Sequence, residues 1–234
     1  MMRAMTLLDS LQTAWITVGV PGTEYDDGGT YATYDREALP ELPREVLEDP
    51  KLSWLRALAP AGEGMSPTSF HHATTPLTAD GLEQLLSAVG LDPDALPRDL
   101  RALADPQVHA RLWSATDAYL DAGDFLEAVP GGHLLHLVSD SQWVLHWYAF
   151  LGEDGSSGVV CAADSLGYEG FEGEKPARFD PEQAAWVADS VRELVWRWWA
   201  DNFAFAAANP DICPELEAPA WFDLAAYVAG YRAS

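Results

Sequence analysis

Three consecutive strand-like runs constrain the fold of this chain more than any other feature. The runs are "HLLHLV" (133–138), "WVLHWYAFL" (143–151) and "GVVCAA" (158–163), all largely apolar. The segments between them, "SDSQ" and "GEDGSS", carry turn-forming residues. Because connections this short join antiparallel neighbours, the sequence predicts a meander of antiparallel strands.

Helical patterns precede the three runs. Thr78 is a suitable N-cap for "TADGLEQLLSAVGLD", in which Leu82, Leu85, Leu86 and Val89 form one stripe and Gly90 ends the helix. "LPRDLRALADP" predicts a second, short helix with Leu100 and Leu103 facing inward.

Helical patterns also follow the runs. A long helix is predicted over "EQAAWVADSVRELVWRWWADNFAFAAA", and a last one over "PAWFDLAAYVAGYR". The stripe predicted to be buried in the long helix consists of Val187, Val191, Leu194, Val195 and Trp198. Helices, then strands, then helices indicate an α+β fold, with a central antiparallel sheet packed with helices.

Residues 1–74 show no regular period over a long window. Breakers interrupt them at Pro21, Gly22, Gly28 and Gly29. We therefore expect an N-terminal extension or small subdomain over 1–74 and the main α+β domain over 75–234. Removing residues 1–40 is expected to leave a folded protein, unless Leu7, Leu11 and Trp15 fill a groove in the main domain.

The charge of the chain is strongly one-sided. Its 37 Asp and Glu residues against 13 Lys and Arg give a net charge of −24. Such a surface repels nucleic-acid phosphates and anionic membranes, so neither is an expected partner. It attracts a basic protein and speeds their encounter, although an acid excess also serves solubility alone.

The cysteines and the N-terminus suggest a compartment. Cys161 and Cys213 have no metal-ligand or disulfide-framework spacing. Asp9, Ser10 and Gln12 interrupt the apolar N-terminal run before it reaches signal-peptide length, and no run approaches the length of a membrane span. A cytoplasmic location is therefore expected.

The three histidines of the predicted hairpin are the strongest candidates for metal ligands. With a turn over 139–142, strand alternation puts His136 on one face and His133 and His146 on the other. His133 and His146 would then lie diagonally, with no third ligand beside them. No serine has the surroundings of a nucleophile elbow, and "GYEGFEG" is too acidic to cradle a phosphate. We expect no metal, no cofactor and no catalytic residue.

Both faces of that hairpin are apolar, whereas a surface sheet usually has one polar face. Either helices cover both faces, or one face and its rim present aromatic residues to a partner. Loop acids beside aromatic residues are the candidates for such a contact. The candidate partner-binding residues are Asp121, Asp124, Asp140, Trp143, Tyr168, Glu169, Phe171, Glu172 and Glu174.

Several short motifs resemble one family. They are "LPRDLRALADPQVHARLWSATDAYLDAGD", "GGHLLHLVSDSQWVLHWYAFLGEDGSSGVVC", "VRELVWRWWADNFAFAA" and "AYVAGY". In order and spacing they resemble bacterial members of the SMI1/KNR4 (SUKH) superfamily, over roughly residues 75–234. The resemblance implies an α+β fold and a non-enzymatic, protein-binding role.

Many bacterial members of that superfamily are similar to immunity proteins, which neutralise a toxin, often a nuclease, by direct binding. The resemblance therefore implies a toxin domain as partner, and the strong acidity of the chain fits a basic one. Other members act as regulatory or adaptor scaffolds, which is the alternative within the same class. An alternative from a different class is a hydrolase whose site the motifs do not reveal.

Overall fold

The computed structural model describes residues 7–23, 30–60, 77–120, 126–163, 165–166, 178–211 and 218–231. Within them, the chain forms one large mixed sheet, a separate two-stranded hairpin and helices packed against both. The α+β class predicted from the sequence is confirmed.

The large sheet contains the predicted meander. Its strands are β1 (Gln12–Thr13), β4 (Tyr119–Leu120), β5 (Leu126–Val129), β6 (Gly132–Ser139), β7 (His146–Gly152), β8 (Ser157–Ala162) and β9 (Ala184–Ala188). The order is β1-β9-β8-β7-β6-β4, and β5 also pairs with β6. The β1–β9 pair is parallel and the other pairs are antiparallel. The small hairpin pairs β2 (Trp15–Val18) with β3 (Tyr31–Tyr34).

The helices are α1 (Arg44–Leu47), α2 (Ser53–Arg56), α3 (Ala79–Ala88), α4 (Arg98–Leu103), α5 (Pro106–His109), α6 (Val191–Ala208) and α7 (Leu224–Ala229). The Thr78 hydroxyl accepts a hydrogen bond from the Gly81 N–H at 3.1 Å, which confirms the predicted cap of α3. Leu100 and Leu103 of α4 are buried, as predicted. Among the described helices, none has the length and apolar character needed to cross a membrane.

The long helix is shorter than the sequence predicts. Residues Ala184–Ala188 form β9 and pair with β8, so Val187 is buried as a strand residue rather than on a helical stripe. The Ser190 side chain then accepts from the Glu193 N–H and starts α6 at Val191. A short apolar run such as "AAWVA" fits either structure, and pairing with a neighbouring strand decides between them.

Helix α6 is the centre of the molecule. Fourteen of its 18 residues are buried, which is typical of a helix surrounded by protein on all sides. Trp198 packs edge-on against Trp147 of β7, with ring centroids 5.2 Å apart. This face of α6 therefore covers one face of the sheet.

The described N-terminal residues share the core of the rest of the chain. Trp15, Tyr34, Leu52 and Leu55 are at most 1% exposed and belong to the same apolar cluster as the sheet and α6. Strand β1 extends the large sheet beside β9. The expected boundary at residue 74 therefore does not separate two cores, because each side completes the other.

The other face of the sheet is also covered. A second cluster of buried residues lies there, and Leu7 and Leu11 from the N-terminal segment belong to it together with Tyr148, Phe150 and Trp186. Both faces of the predicted hairpin are therefore buried, which answers the alternative that the sequence left open.

The register of β6 and β7 differs from the prediction. Val138 pairs with Trp147 and Ser139 with His146, so the loop spans 140–145. A bulge between His136 and Val138 shifts the alternation by one residue. His136 and His146 consequently share a face, and the predicted separation of these two histidines is wrong.

Candidate functional site: an aromatic groove with an acidic rim

A groove opens between the segment that carries α1 and α2, the outer side of α6, and the start of α7. Its volume is about 820 Å³. Trp54, Trp196, Trp221 and Phe222 form its aromatic floor and walls. We call this feature the aromatic groove.

Helix α6 supplies the base of the aromatic groove. Trp196, Trp199 and Phe203 follow one another at helical spacing and so lie on one face of α6. Trp54 of α2 meets two of these rings edge-on, at 5.1 Å from Trp196 and 5.6 Å from Trp199. Edge-to-face contacts of this kind are favoured between aromatic rings and fix their orientation.

The turn before α7 supplies the opposite wall. Trp221 stacks on Trp196 with centroids 5.8 Å apart and an interplanar angle of 29°, and Phe222 meets Trp199 edge-on at 4.8 Å. Trp221 is nevertheless 52% exposed, the largest exposure among the exposed large apolar side chains described. An indole surface held in place by its neighbours is therefore open to solvent.

A buried carboxylate holds α7 in this position. Asp201 of α6 accepts hydrogen bonds from the Tyr227 hydroxyl at 2.7 Å, the Tyr231 hydroxyl at 2.5 Å and the Trp15 indole N–H at 2.7 Å. Burial raises the pKa of Asp201, and the three donors oppose that shift. The network ties α7 and β2 to α6 and so fixes one wall of the aromatic groove.

A second buried network positions the other wall. Arg197 of α6 donates to Glu193 at 3.0 Å and to the Pro40 carbonyl at 3.1 Å. Arg36 also reaches Glu193, at 3.2 Å, so the Glu193 carboxylate is shared by two guanidinium groups. The Pro40 contact anchors the segment that leads into α1 and lines the aromatic groove.

The rim of the aromatic groove is acidic. Glu41 and Glu45 are exposed side chains of the α1 segment, and Asp223 is an exposed residue that caps α7. The described residues that line the groove include no lysine or arginine. Arg44, next to Glu45, is paired with Glu48 at 2.7 Å. An aromatic surface beside uncompensated carboxylates attracts a cationic group.

A separate polar cluster lies on the sheet face that carries Tyr148, away from α6. The Ser139 hydroxyl is 2.9 Å from a nitrogen of His136 and 2.9 Å from a nitrogen of His146. All three residues are 0% exposed. This is hydrogen-bond geometry between a hydroxyl and two imidazoles, but no substrate atom reaches a hydroxyl that is buried in this way.

The same burial lowers the pKa of His146 to about 4, partly offset by a hydrogen bond to the Trp143 backbone and by the nearby Asp140 carboxylate. His146 is therefore neutral at pH 7 and suited to a structural hydrogen bond. His133 lies on the opposite face, across from Leu151. Within the part of the chain that the structure describes, no three His, Cys, Asp or Glu side chains converge as metal ligands would.

Asp140 is not a surface acid. It is 2% exposed, and its carboxylate accepts from the Tyr31 hydroxyl at 2.5 Å and from the Gln142 N–H at 2.8 Å. Its assignment to the contact surface is therefore corrected: the six-residue loop folds the side chain inward, where it supports the loop. Trp143 in the same loop is 40% exposed, and Val144 beside it is 51% exposed.

The remaining candidate contact residues lie outside the described residues. They are Asp121, Asp124, Tyr168, Glu169, Phe171, Glu172 and Glu174. Their role in binding stays a prediction.

Reasoning from the sequence missed the aromatic groove. Its lining comes from residues 40–54, from Trp196 and from residues 221–230, which no local pattern connects. A usable signal was present in the adjacent aromatic pair Trp221–Phe222 directly before a capping aspartate, because two large apolar side chains at a helix start need a packing partner.

Comparisons of the chain with protein-family models, with curated proteins and with solved structures return no match. The likeness to the SMI1/KNR4 superfamily therefore stays a prediction from the motifs in the sequence.

Proposed function

We propose that this chain is a non-enzymatic binding module for a basic protein, and that it acts in the cytoplasm as an immunity protein against a toxin domain. The observation that carries the proposal is the aromatic groove, whose lining combines exposed indole surface with Glu41, Glu45 and Asp223 and includes no described basic residue.

The two features of the groove contribute to binding in different ways. Carboxylates at a rim speed the encounter with a basic surface and set the salt dependence of binding. Buried or half-buried tryptophans supply most of the affinity in protein interfaces, because they lose a large apolar area to water at little cost in side-chain entropy. The net charge of −24 extends the attraction over the whole molecule.

Immunity is favoured over a scaffold role by the motifs that resemble bacterial immunity proteins. A neutralising protein needs one tight partner, whereas a scaffold needs several. A groove of about 820 Å³ whose base is a buried helix fits one preorganised contact better than several adaptable ones.

The experiment is affinity capture from the source cells, with the wild-type chain and with Trp221→Ala as parallel baits. The captured protein is then purified, mixed with the chain and analysed for stoichiometry and salt dependence. Finally, the captured protein and the chain are expressed in a test cell, first separately and then together.

We expect one basic protein, a one-to-one complex that weakens as salt rises, and growth inhibition that co-expression relieves. Capture of several proteins without growth inhibition would support the scaffold alternative instead. Absence of any basic partner, or a complex strengthened by salt, would contradict the proposal.

A further inference from the structure

We propose that the aromatic groove receives an arginine side chain from its partner, with the guanidinium lying against the indole of Trp221 and the rim carboxylates beside it. This inference rests on the proposed function, since it names the chemical group by which a basic partner is recognised.

The indole surface is the first part of the argument. Trp221 is 52% exposed, yet its ring is fixed by Trp196 at 5.8 Å and by Trp54 at 6.3 Å. A fixed indole with a free surface loses little entropy when a cation stacks on it. Tryptophan is also the best of the aromatic side chains for cation–π attraction.

The charge at the rim is the second part. Glu41 and Glu45 are exposed, and no ion pair of either is found among the described residues. One oxygen of Asp223 accepts from the Ala226 N–H at 2.9 Å, and among the described residues no donor to its other oxygen is found. A ligand that brings several donors and a positive charge completes this rim.

Arginine fits the exposed indole surface and the acidic rim better than lysine does. Its planar guanidinium stacks on a ring while its edge donates to carboxylates, and it sheds water more readily than an ammonium group.

The size of the groove indicates how much of the partner enters. About 820 Å³ lies within the range of about 300–1,000 Å³ typical of sites for small ligands. The groove is therefore large enough for one arginine together with the backbone of its neighbours, rather than for a whole helix.

The test uses a short synthetic peptide with one central arginine, flanked by glycines and capped at both ends. Matched peptides replace the arginine by lysine or by citrulline, which keeps the shape of the side chain and removes its charge. Binding to the full chain is followed through the tryptophan indole N–H signals in nuclear magnetic resonance spectra. The signals are assigned by single Trp→Phe substitutions.

Two protein variants separate the contribution of the indole from that of the rim charges. Trp221→Ala removes the exposed indole. Glu41→Gln combined with Glu45→Gln removes two rim charges at exposed positions, so it leaves the packing of the core unchanged. Val89→Ala is the control for an exposed large apolar side chain outside the groove, and Glu153→Gln with Glu182→Gln is the control for the same loss of exposed charge elsewhere.

We expect the arginine peptide to shift the Trp221 signal. Relative to the arginine peptide, the lysine peptide should bind about 3-fold more weakly and the citrulline peptide at least about 10-fold more weakly. Trp221→Ala should weaken binding about 10-fold and the double glutamine variant about 5-fold, with both controls unchanged. Equal binding of arginine and citrulline would overturn the inference, as would equal losses in the groove variants and the controls.

Failure of the arginine site can be distinguished from failure of the proposed binding function. If a basic protein partner binds with the same affinity to Trp221→Ala as to the wild-type chain, the arginine site is wrong while the binding role stands. If the groove is instead filled by a second copy of the chain, sedimentation will show self-association that Trp221→Ala abolishes, and the inference fails.

Discussion

Asp201 joins parts of the chain that lie far apart in sequence. It is fully buried, and its three donors come from β2, from α7 and from the residue that follows the α7 cap. A buried carboxyl group without a direct basic partner is costly unless hydrogen bonds satisfy it, and here three such bonds do so. The position of α7, and with it one wall of the aromatic groove, therefore depends on this single side chain.

Replacing Asp201 by Ala should lower the free energy of unfolding by about 3–5 kcal/mol, because three buried donors lose their acceptor. Urea denaturation measures the change. Asp223→Asn is the matched control, since asparagine caps a helix as well as aspartate does, and its effect should stay within about 0.5 kcal/mol. Similar small effects for both variants would show that Asp201 is not needed to hold α7.

His146 gives the protein a pH-dependent stability. Its pKa is lowered from 6.5 to about 4 by burial, so the folded state favours the neutral imidazole. Between these two values the unfolded chain binds more protons at this site than the folded chain does. The stability that the neutral imidazole contributes to the folded state is therefore complete above pH 6.5 and is lost as the pH falls towards 4.

The expected size of this effect is about 3 kcal/mol, from a shift of about 2.5 pKa units. The free energy of unfolding of the wild-type chain should rise steeply from pH 4 to pH 7. The rise should be about 3 kcal/mol smaller for His146→Asn, because asparagine does not titrate in this range. Parallel profiles for the two proteins would mean that His146 is not held neutral by the fold.

At the scale of elements, the N-terminal segment belongs to the core. Strand β1 pairs with β9, Trp15 of β2 is 0% exposed, and Leu7 is buried against the second face of the sheet. The alternative in which Leu7, Leu11 and Trp15 fill the main domain is the one that the structure supports.

Deleting residues 1–40 should therefore abolish cooperative unfolding, in contrast to the expectation from the sequence. The single change Trp15→Ala should cost about 3–5 kcal/mol, because it leaves a cavity and removes a donor from Asp201. Leu47→Ala, at a side chain that is 47% exposed, should change stability by less than about 0.5 kcal/mol. A soluble truncated protein with a sharp thermal transition would disprove the assignment.

At the scale of the whole molecule, the charge opposes folding while it favours a basic partner. The net charge of −24 produces repulsion among acids across the surface. The ion pairs of the described residues offset little of it, because most of them are at least partly exposed, and only Arg197–Glu193 is buried on both sides.

Moderate salt should therefore stabilise this protein when no partner is present. Screening up to about 0.2 M sodium chloride is expected to raise the free energy of unfolding by about 1 kcal/mol, or Tm by about 2–4 °C. Thermal melts at constant pH and increasing salt provide the measurement. A Tm that falls with salt would mean that attractive pairs outweigh the repulsion.

The sequence by itself determined the features that depend on near neighbours. The meander follows from three apolar runs with short turns, and α3 follows from Thr78, its leucine stripe and Gly90. In each case the cap, the turn or the period lies within a few residues, so the local pattern carries enough information.

Tertiary contacts decided the rest. Pairing with β8 made 184–188 a strand, and the bulge beside Leu137 brought His136 and His146 onto one face. A longer loop buried the Asp140 carboxylate beside Tyr31, and α6 gathered aromatic residues from three separate parts of the chain into one groove. These outcomes depend on free energies of contact between residues far apart in the chain, which no local period encodes.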